Sequence, residues 1–407
     1  MTTSNMDFQG ARNVPRRVGV VTRRHLSQQA FHATMYEAED VLAGTCDVDL
    51  IEVLPGQHFA LKNRWLKRLV YRSLSPRFAY TNPGVQTIPL ATDYDVLIVF
   101  CQNIWDVLHF NALRGWKEHC KTTVLWLEEF WAAEILKFPD LFRSLERFDH
   151  IVVCSKGSVR PLSEFLGRQV HLVPIAVDTL RFGPAPNWPT RSIDVFSMGR
   201  RWDGVHTALL GAASRQDLFY VHDTGRGMAE VRLISHKEHR DHYANLAKRS
   251  KYFMVAPAKM NVAGETLGQV EVGFRYFEGT AAGAVLVGQA PDCEPYREHF
   301  PWPDAVVEAK PDGSDILRVI ADLEAEPERV RAISRRNVAE AMRRNDWIHR
   351  WIAIFEIAGV VPSEGMLARV DFLNALSQVA LRHTGAPAQG NGADQAHVVE
   401  DRGSAYS

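Results

Sequence analysis

Short apolar runs alternate along this chain with stretches whose apolar residues recur every three or four positions, and that alternation leaves few folds open. A strand buried on both faces reads as a near-continuous apolar run, so the pattern predicts parallel sheets covered by helices. RVGVVT from Arg17, VDLIEV from Val48, DVLIVF from Asp95, TTVLWL from Thr122, HIVVCS from His150 and VHLVPI from Val170 are the strands expected of a first α/β unit. The next segment, Val177 to Ser192, carries three prolines, which deny the chain a continuous helix or strand and suit a connection. A second series begins at once: IDVFSMG from Ile193, DLFYVHD from Asp217, YFMVAPA from Tyr252, AVLVGQ from Ala284 and AVVEA from Ala305. Two α/β halves joined by a linker imply a cleft between them.

Helical patterns close the chain, one group from Asp315 to Gly359 and a last helix from Val361 to His383, separated by Gly359 and Pro362. That last helix is placed to pack across both halves. The expected division is a flexible start (1–15), a first domain (16–178), a second domain (179–361), a C-terminal helix (362–383) and a disordered tail (384–407), poor in core-forming side chains.

The charge balance of 47 Lys plus Arg against 48 Asp plus Glu argues against a general nucleic-acid binder held by phosphate electrostatics. No apolar run approaches the length of a membrane span, and the polar start MTTSNMDFQGARN lacks a signal core, so a cytoplasmic location is expected. Five scattered cysteines, Cys46, Cys101, Cys120, Cys154 and Cys293, include no close pair of the kind that grips zinc, and are expected as reduced, buried thiols. One stretch, LKNRWLKRLVYRSLSPRF from Leu61 to Phe78, interleaves Lys and Arg with Trp, Leu and Tyr. Two readings stand for it: a helix covering the first sheet, or a peripheral contact with anionic lipid at the inner face of a membrane.

The stretch from Gly264 to Val287 packs acids, glycines and a short helix against a strand, as a site for a phosphorylated ligand would. Tyr276, Phe277, Thr280 and Ala281 share a helix face, Glu278 lies inside the helix, and Gly283 is placed to end it in a left-handed cap. SMGRRWDG, from Ser197, sets Gly199, Arg200 and Arg201 directly after a strand, at the sheet edge where open α/β folds bind ligands. Guanidinium forks there suit a diphosphate. No GxxxxGK[ST] loop or GxGxxG fingerprint is present, which argues against an ordinary ATPase, GTPase or dinucleotide enzyme. Asp47-Val48-Asp49 and Asp93-Tyr94-Asp95 match a DxD spelling but fall at strand starts, and His236, His239 and His242 spread around a helix, so no metal site is expected.

In the order VPIAVDTLRF (Val173 to Phe182), SMGRR, then EVGFRYFEGTAAGAVLV, the chain resembles the GT-B glycosyltransferases, in the branch related to glycosyltransferase group 1, with VVCSKGSVRPL from Val152 similar to the segment before the interdomain connection. The resemblance extends over most of the chain. It implies two Rossmann-like domains facing a cleft, and transfer of a sugar from a nucleotide-diphosphate donor to an acceptor hydroxyl. The acceptor class it leaves open is glycan, lipid-linked or small-molecule. By position, Glu278 would hold the ribose hydroxyls and Arg200 the diphosphate, with no metal or other cofactor. Glu271 would be the catalytic partner acid, although six residues separate it from Glu278, one fewer than in many retaining members, and Glu265 is a rival. Ala176 replaces the usual glycine, and no lysine closely follows Arg200, which leaves Arg201 as substitute. Backbone amides between Gly268 and Gly273 would add to the phosphate site. If the anomeric centre inverts, Glu128 or Glu129, after the strand TTVLWL, is placed to take the acceptor proton, with His32 and His109 as further candidates. A sugar-nucleotide epimerase of the same fold and a noncatalytic sugar-nucleotide-binding scaffold remain as alternatives.

Overall fold

In the computed structural model, which describes residues 17–224 and 232–383, the apolar runs of the first half form one parallel sheet. Its strands are β1 (Val18–Thr22), β2 (Val48–Glu52), β3 (Tyr94–Cys101), β4 (Cys120–Leu127), β5 (His150–Val153) and β6 (His171–Leu172), in spatial order 2-1-3-4-5-6. Val18 stands opposite both Val48 and Val96, which puts Val18, Val20 and Val96 on one buried face and Val21 and Leu97 on the other. The second sheet holds β7 (Ile193–Ser197), β8 (Tyr220–His222), β9 (Ser250–Val255), β10 (Val285–Gly288) and β11 (Val307–Glu308), all parallel, in order 8-7-9-10-11. The runs at Val170 and Ala305 yield only two-residue strands. Both lie at sheet edges, where a strand is paired on one side only.

Nine helices carry the argument that follows: α1 (Ala33–Ala43), α2 (Phe59–Tyr71), α3 (Lys156–Leu166), α4 (Asp203–Ser214), α5 (His236–Lys248), α6 (Phe274–Ala281), α7 (Pro327–Arg344), α8 (Trp347–Ile357) and α9 (Glu364–Arg382). In α6 the expected face is buried, and Gly283 adopts φ +68 to turn the chain into β10. A Cβ at Gly283 would also stand 2.7 Å from Val338 Cγ2, so glycine is required twice over. The linker holds one helical turn, Thr179–Phe182, capped by Asp178.

One apolar cluster runs through both halves without a break, from Val18 in β1 to Ala380 in α9. Its centre is aromatic: Trp126 of β4 meets Trp351 at 5.2 Å and Phe100 at 4.3 Å, and the Trp351 indole donates to Ala38 O at 2.8 Å. Helix α8, inside the segment expected for the second domain, therefore packs on the first sheet's layer. Helix α9 lies on α7, and its start reaches the first half through Ser363 Oγ, which donates to Thr45 O at 2.7 Å. The segments expected to be flexible or disordered, 1–15 and 384–407, lie outside the described residues.

Candidate active site

The carboxyl ends of both sheets open on one cavity of about 860 Å³. Gln102 and Asn103 enter it from β3, Glu128 and Glu129 from β4, and Cys154 and Ser155 from β5. From the second half come Gly199, Arg200 and Arg201 after β7, residues 256–261 after β9, and the start of α6. Strand ends of an open parallel sheet are where such folds place ligands, because the loops there diverge.

Gly199 makes the turn after β7 with φ +80, which lets Arg275 fold over it and donate Nε–H to Met198 O at 3.0 Å. The two arginines expected to act together are separated in role. Arg201 is committed to Asp223, with Nη1 at 2.6 Å from the carboxylate and Nη2 donating to the carbonyl at 2.9 Å. Arg200 is exposed on the cavity wall and forms no ion pair among the described residues. Of the pair, only Arg200 is free to meet a ligand.

Glu278 is fully buried, and both of its oxygens are taken, one by Arg240 of α5 and one by Arg275 a turn earlier in α6. Burial pulls this carboxyl upward in pKa, and the two guanidiniums outweigh it, holding it below the ordinary range. Arg240 also reaches into the first half, where Nε lies 2.8 Å from Glu37 of α1. Glu37 in turn accepts from the Trp347 indole at 3.2 Å and from the Asp178 amide at 2.9 Å. A chain of alternating charge, Glu37, Arg240, Glu278, Arg275, thus links the halves along the cavity wall, which its last three members line.

Glu271 sits where a cap would. Its carboxylate accepts from the amides of Gly157 at 2.8 Å and Lys156 at 3.2 Å, the first turn of α3, and from Gln269 Nε2 at 2.8 Å. Burial raises its pKa against the pull of those donors. The expected catalytic acid is therefore engaged as a brace from the second half to a helix start in the first, favoured by the orphan amides and dipole there. Gly273, which lines the cavity, is the N-cap of α6, whereas Gly268 does not line it.

Across the cleft, Glu128 is 4% exposed and its Oε2 has no hydrogen-bond partner among the described residues. Burial, and then the neighbouring Glu129 carboxylate, push it up to about 8. It is a protonated acid at neutral pH, facing a ligand-sized cavity. Glu129 differs: it accepts from Gln102 Nε2 at 3.2 Å and meets Lys259 Nζ at 3.1 Å. Lys259 also reaches Glu265 at 3.0 Å and lies 5.1 Å from the Trp131 ring centre, on a backbone with φ +52 that non-glycine residues rarely adopt.

Other candidates fall away from the cavity. His32 and His109 are buried beside Arg23 and Asp106, and burial followed by the Arg23 charge takes both down to about 3. Neither lines the cleft. Asp49, Asp93 and Asp95 sit toward the opposite, amino ends of the strands, paired with Arg17, His119 and Lys121. Of the three helix histidines, His236 pairs with Asp40 at 3.4 Å and only His239 reaches the cavity, because each step of three residues falls about 60° short of a full turn and the outer two diverge by about 120°. Only Cys101 and Cys154 among the thiols are buried; Cys120, at the start of β4, and Cys46 and Cys293, outside the strands, keep partial exposure.

Sequence reading missed Arg240, Arg275, Lys259 and Glu37. Arg275 was within reach, three residues before Glu278 on one helix, while the other three meet the site only through tertiary packing.

Residues 193–356 match the family described as glycosyl transferase-like. The second half of the chain thus carries a glycosyl transferase-like domain. That domain contains Arg200, Arg240, Lys259, Glu271 and Glu278, so the cationic wall of the cavity belongs to it. No curated protein matches the chain by sequence. Among solved structures, an α-glucosyltransferase in complex with UDP-glucose and DNA is similar at 11% identity and TM-score 0.48, over 84% of this chain and 99% of that one. A UDP-N-acetylglucosamine 2-epimerase is similar at 10% identity and TM-score 0.43, over 86% and 99%. TarM is similar at 9% identity and TM-score 0.41, over 74% and 58%.

Proposed function

We propose that this chain transfers a sugar from a nucleoside-diphosphate donor, bound by the second half, to an acceptor hydroxyl presented by the first. The observation that carries the reading is one cavity of about 860 Å³ with unlike walls. On the side of the glycosyl transferase-like domain stand Arg200 and Lys259; on the other stands the buried acid Glu128. A leaving nucleoside diphosphate gains negative charge as the bond from the anomeric carbon to the phosphate oxygen breaks, and fixed cations in a partly dry cleft lower that barrier. Arg200 is the free guanidinium for the diphosphate, and Lys259 adds a second charge where the donor displaces Glu129 or Glu265 from it. Side-chain cations serve this purpose in the reading, without a resident metal or other cofactor.

The acceptor oxygen forms the new bond to the anomeric carbon, and its proton goes to the Glu128 carboxylate. With a pKa of about 8, Glu128 takes up that proton readily only once it has ionised, so the rate rises with pH toward that value. Glu129 is less suited, since Gln102 and Lys259 occupy its oxygens. Glu278 supports the site by holding Arg240 and Arg275, and a ribose hydroxyl would have to compete with both.

Calorimetry and nucleotide release with UDP-, GDP-, ADP- and TDP-sugars test this directly, using wild type, Arg200→Ala and Glu278→Ala. Selective binding of one donor, weakened in both variants, with slow nucleotide release, is the expected result. Absence of binding to every donor would sink the proposal. Conversion of the sugar without release of nucleotide would replace it with an epimerase.

A further inference from the structure

Helix α2 presents two faces, and the outer one is unusual. Leu66 and Val70, at 6% and 4% exposure, seat it on the first half. On the opposite side lie Leu61, Arg64, Trp65, Arg68 and Arg72, all exposed, with Leu61 and Trp65 each at 53%. A surface helix normally turns polar residues to water opposite its core face. Here a leucine and a tryptophan occupy the middle of the solvent side, among three arginines. Arg68 lies 5.4 Å from the Trp65 ring centre. The apolar surface continues past the helix end through Tyr71 and Leu74, and across the Tyr71–Phe138 contact at 5.9 Å to Leu136, which is 87% exposed.

Charge adds an independent observation. From residue 53 to residue 92 there is no Asp or Glu, against six Lys or Arg, in a chain whose net charge is -1. None of those six forms an ion pair among the described residues, and five of them are exposed. Elsewhere on this surface arginines are commonly paired, as Arg160 is with Glu164 and Arg331 with Glu328.

We infer that α2 and the turn after it dock on an anionic lipid bilayer, the helix lying in the plane of the interface. Leu61, Trp65, Tyr71 and Leu74 enter the boundary between headgroups and acyl chains while Arg64, Arg68 and Arg72 meet lipid phosphates, the division of labour of an interfacial helix. A nucleic acid would satisfy the arginines but leave the leucines in water. An apolar protein groove would do the reverse. Lys67, from the flank of the same helix, lies 5.7 Å from the Trp105 ring, two residues from cavity-lining Asn103, so docking brings the first half's side of the cleft near the bilayer. The contact is independent of what the cleft catalyses.

Co-sedimentation of the full chain with vesicles of phosphatidylcholine alone, and of phosphatidylcholine mixed with phosphatidylglycerol, is the test, with duplex DNA as a competing probe. Binding to the mixed vesicles only, weakened by salt, is expected. The triple variant Arg64→Gln, Arg68→Gln, Arg72→Gln lowers the partition on the order of a hundredfold, from the contribution of each cation near an anionic surface. Leu61→Ser with Trp65→Ser lowers it about tenfold through lost apolar burial. All five side chains are exposed, so both variants should melt like wild type, and that measurement accompanies the binding. No binding to mixed vesicles, equal binding to neutral ones, or binding that both variants retain would overturn the inference. Binding to DNA with none to vesicles would overturn it in favour of a nucleic-acid surface.

Discussion

Replacing Glu128 by glutamine isolates the most perturbed acid in the cleft, and its consequences follow from the surroundings described above. The side chain is 4% exposed, its Oε2 lacks a partner among the described residues, and the largest charge effect on it comes from another carboxylate, Glu129. Its pKa moves from an ordinary 4.5 in the unfolded chain to about 8 in the folded one. The folded state thus binds this proton more tightly than the unfolded state does. Stability is fully present below 4.5, falls as pH rises between 4.5 and about 8, and levels off above that range. The whole span corresponds to about 5 kcal/mol, of which about 3 kcal/mol is already lost at neutral pH. Glutamine keeps the shape and cannot ionise. Urea denaturation should therefore find wild type and Glu128→Gln similar at about pH 5, and the variant more stable by several kcal/mol at about pH 9. Activity should move the other way, with the rising limb near pH 8 abolished and kcat reduced by roughly two to four powers of ten. Parallel stability curves for the two proteins would refute the buried-acid reasoning whatever the activity shows.

Three further substitutions separate binding from scaffolding. Arg200→Ala removes an exposed, unpaired side chain, so stability should change by less than about 0.5 kcal/mol while donor affinity falls roughly tenfold to a hundredfold, read by calorimetry. Arg240→Met removes one of two arginine partners from each of the buried Glu37 and Glu278, leaving them Arg181 and Arg275, and should cost about 3–5 kcal/mol in denaturant, with part regained on adding Glu37→Gln. Glu271→Ala leaves the Lys156 and Gly157 amides without their acceptor, and a thermal melt should register a loss of about 1–3 kcal/mol.

The strands were legible because parallel sheets bury both faces and so write apolar runs into the sequence; the exceptions, at Val170 and Ala305, lie at sheet edges where one side has no pairing partner. Gly199 and Gly283 were legible because left-handed backbone selects glycine. The placement of Arg200, Glu128 and Glu129 at the cleft followed from their positions just after strands. Partnership was not legible. Nothing near Arg201 in sequence announces Asp223, and Glu37 lies 203 residues from the arginine it holds. Glu271 looked like a catalytic acid by type and position, yet the amides it accepts come from 114 and 115 residues away. Local pattern reports burial and backbone conformation, whereas the charge state of a cleft is set by contacts between distant elements.

The two halves are joined by bonds of two kinds, and the difference decides where the cleft can part. At the inner wall, Glu37 and Arg240 are at most 3% exposed and Glu37 also accepts from the Trp347 indole; separating them would leave charges poorly paired away from water, at about 3–5 kcal/mol. At the mouth, three links come from one loop of the second half, Lys259 to Glu129, Gln269 to the Ala132 amide at 3.1 Å and Glu271 to the Gly157 amide, beside the exposed pair Lys156–Glu294 at 3.2 Å. Glu271 is buried, but the Gly157 and Ala132 amides and the Gln269 and Glu129 side chains are part-buried or face solvent, so water can replace their partners, and the loop holds both Lys259 and Leu267 in left-handed conformations at φ +52 and +48. Opening should therefore pivot about the buried pair and release the mouth first. Amide hydrogen exchange reads this residue by residue: the Ala132 and Gly157 amides should exchange faster than that of Asp178, which donates to Glu37 at 2.9 Å, and a bound donor should slow the first two selectively. Equal protection at all three amides would mean that the halves separate, if at all, only by unfolding.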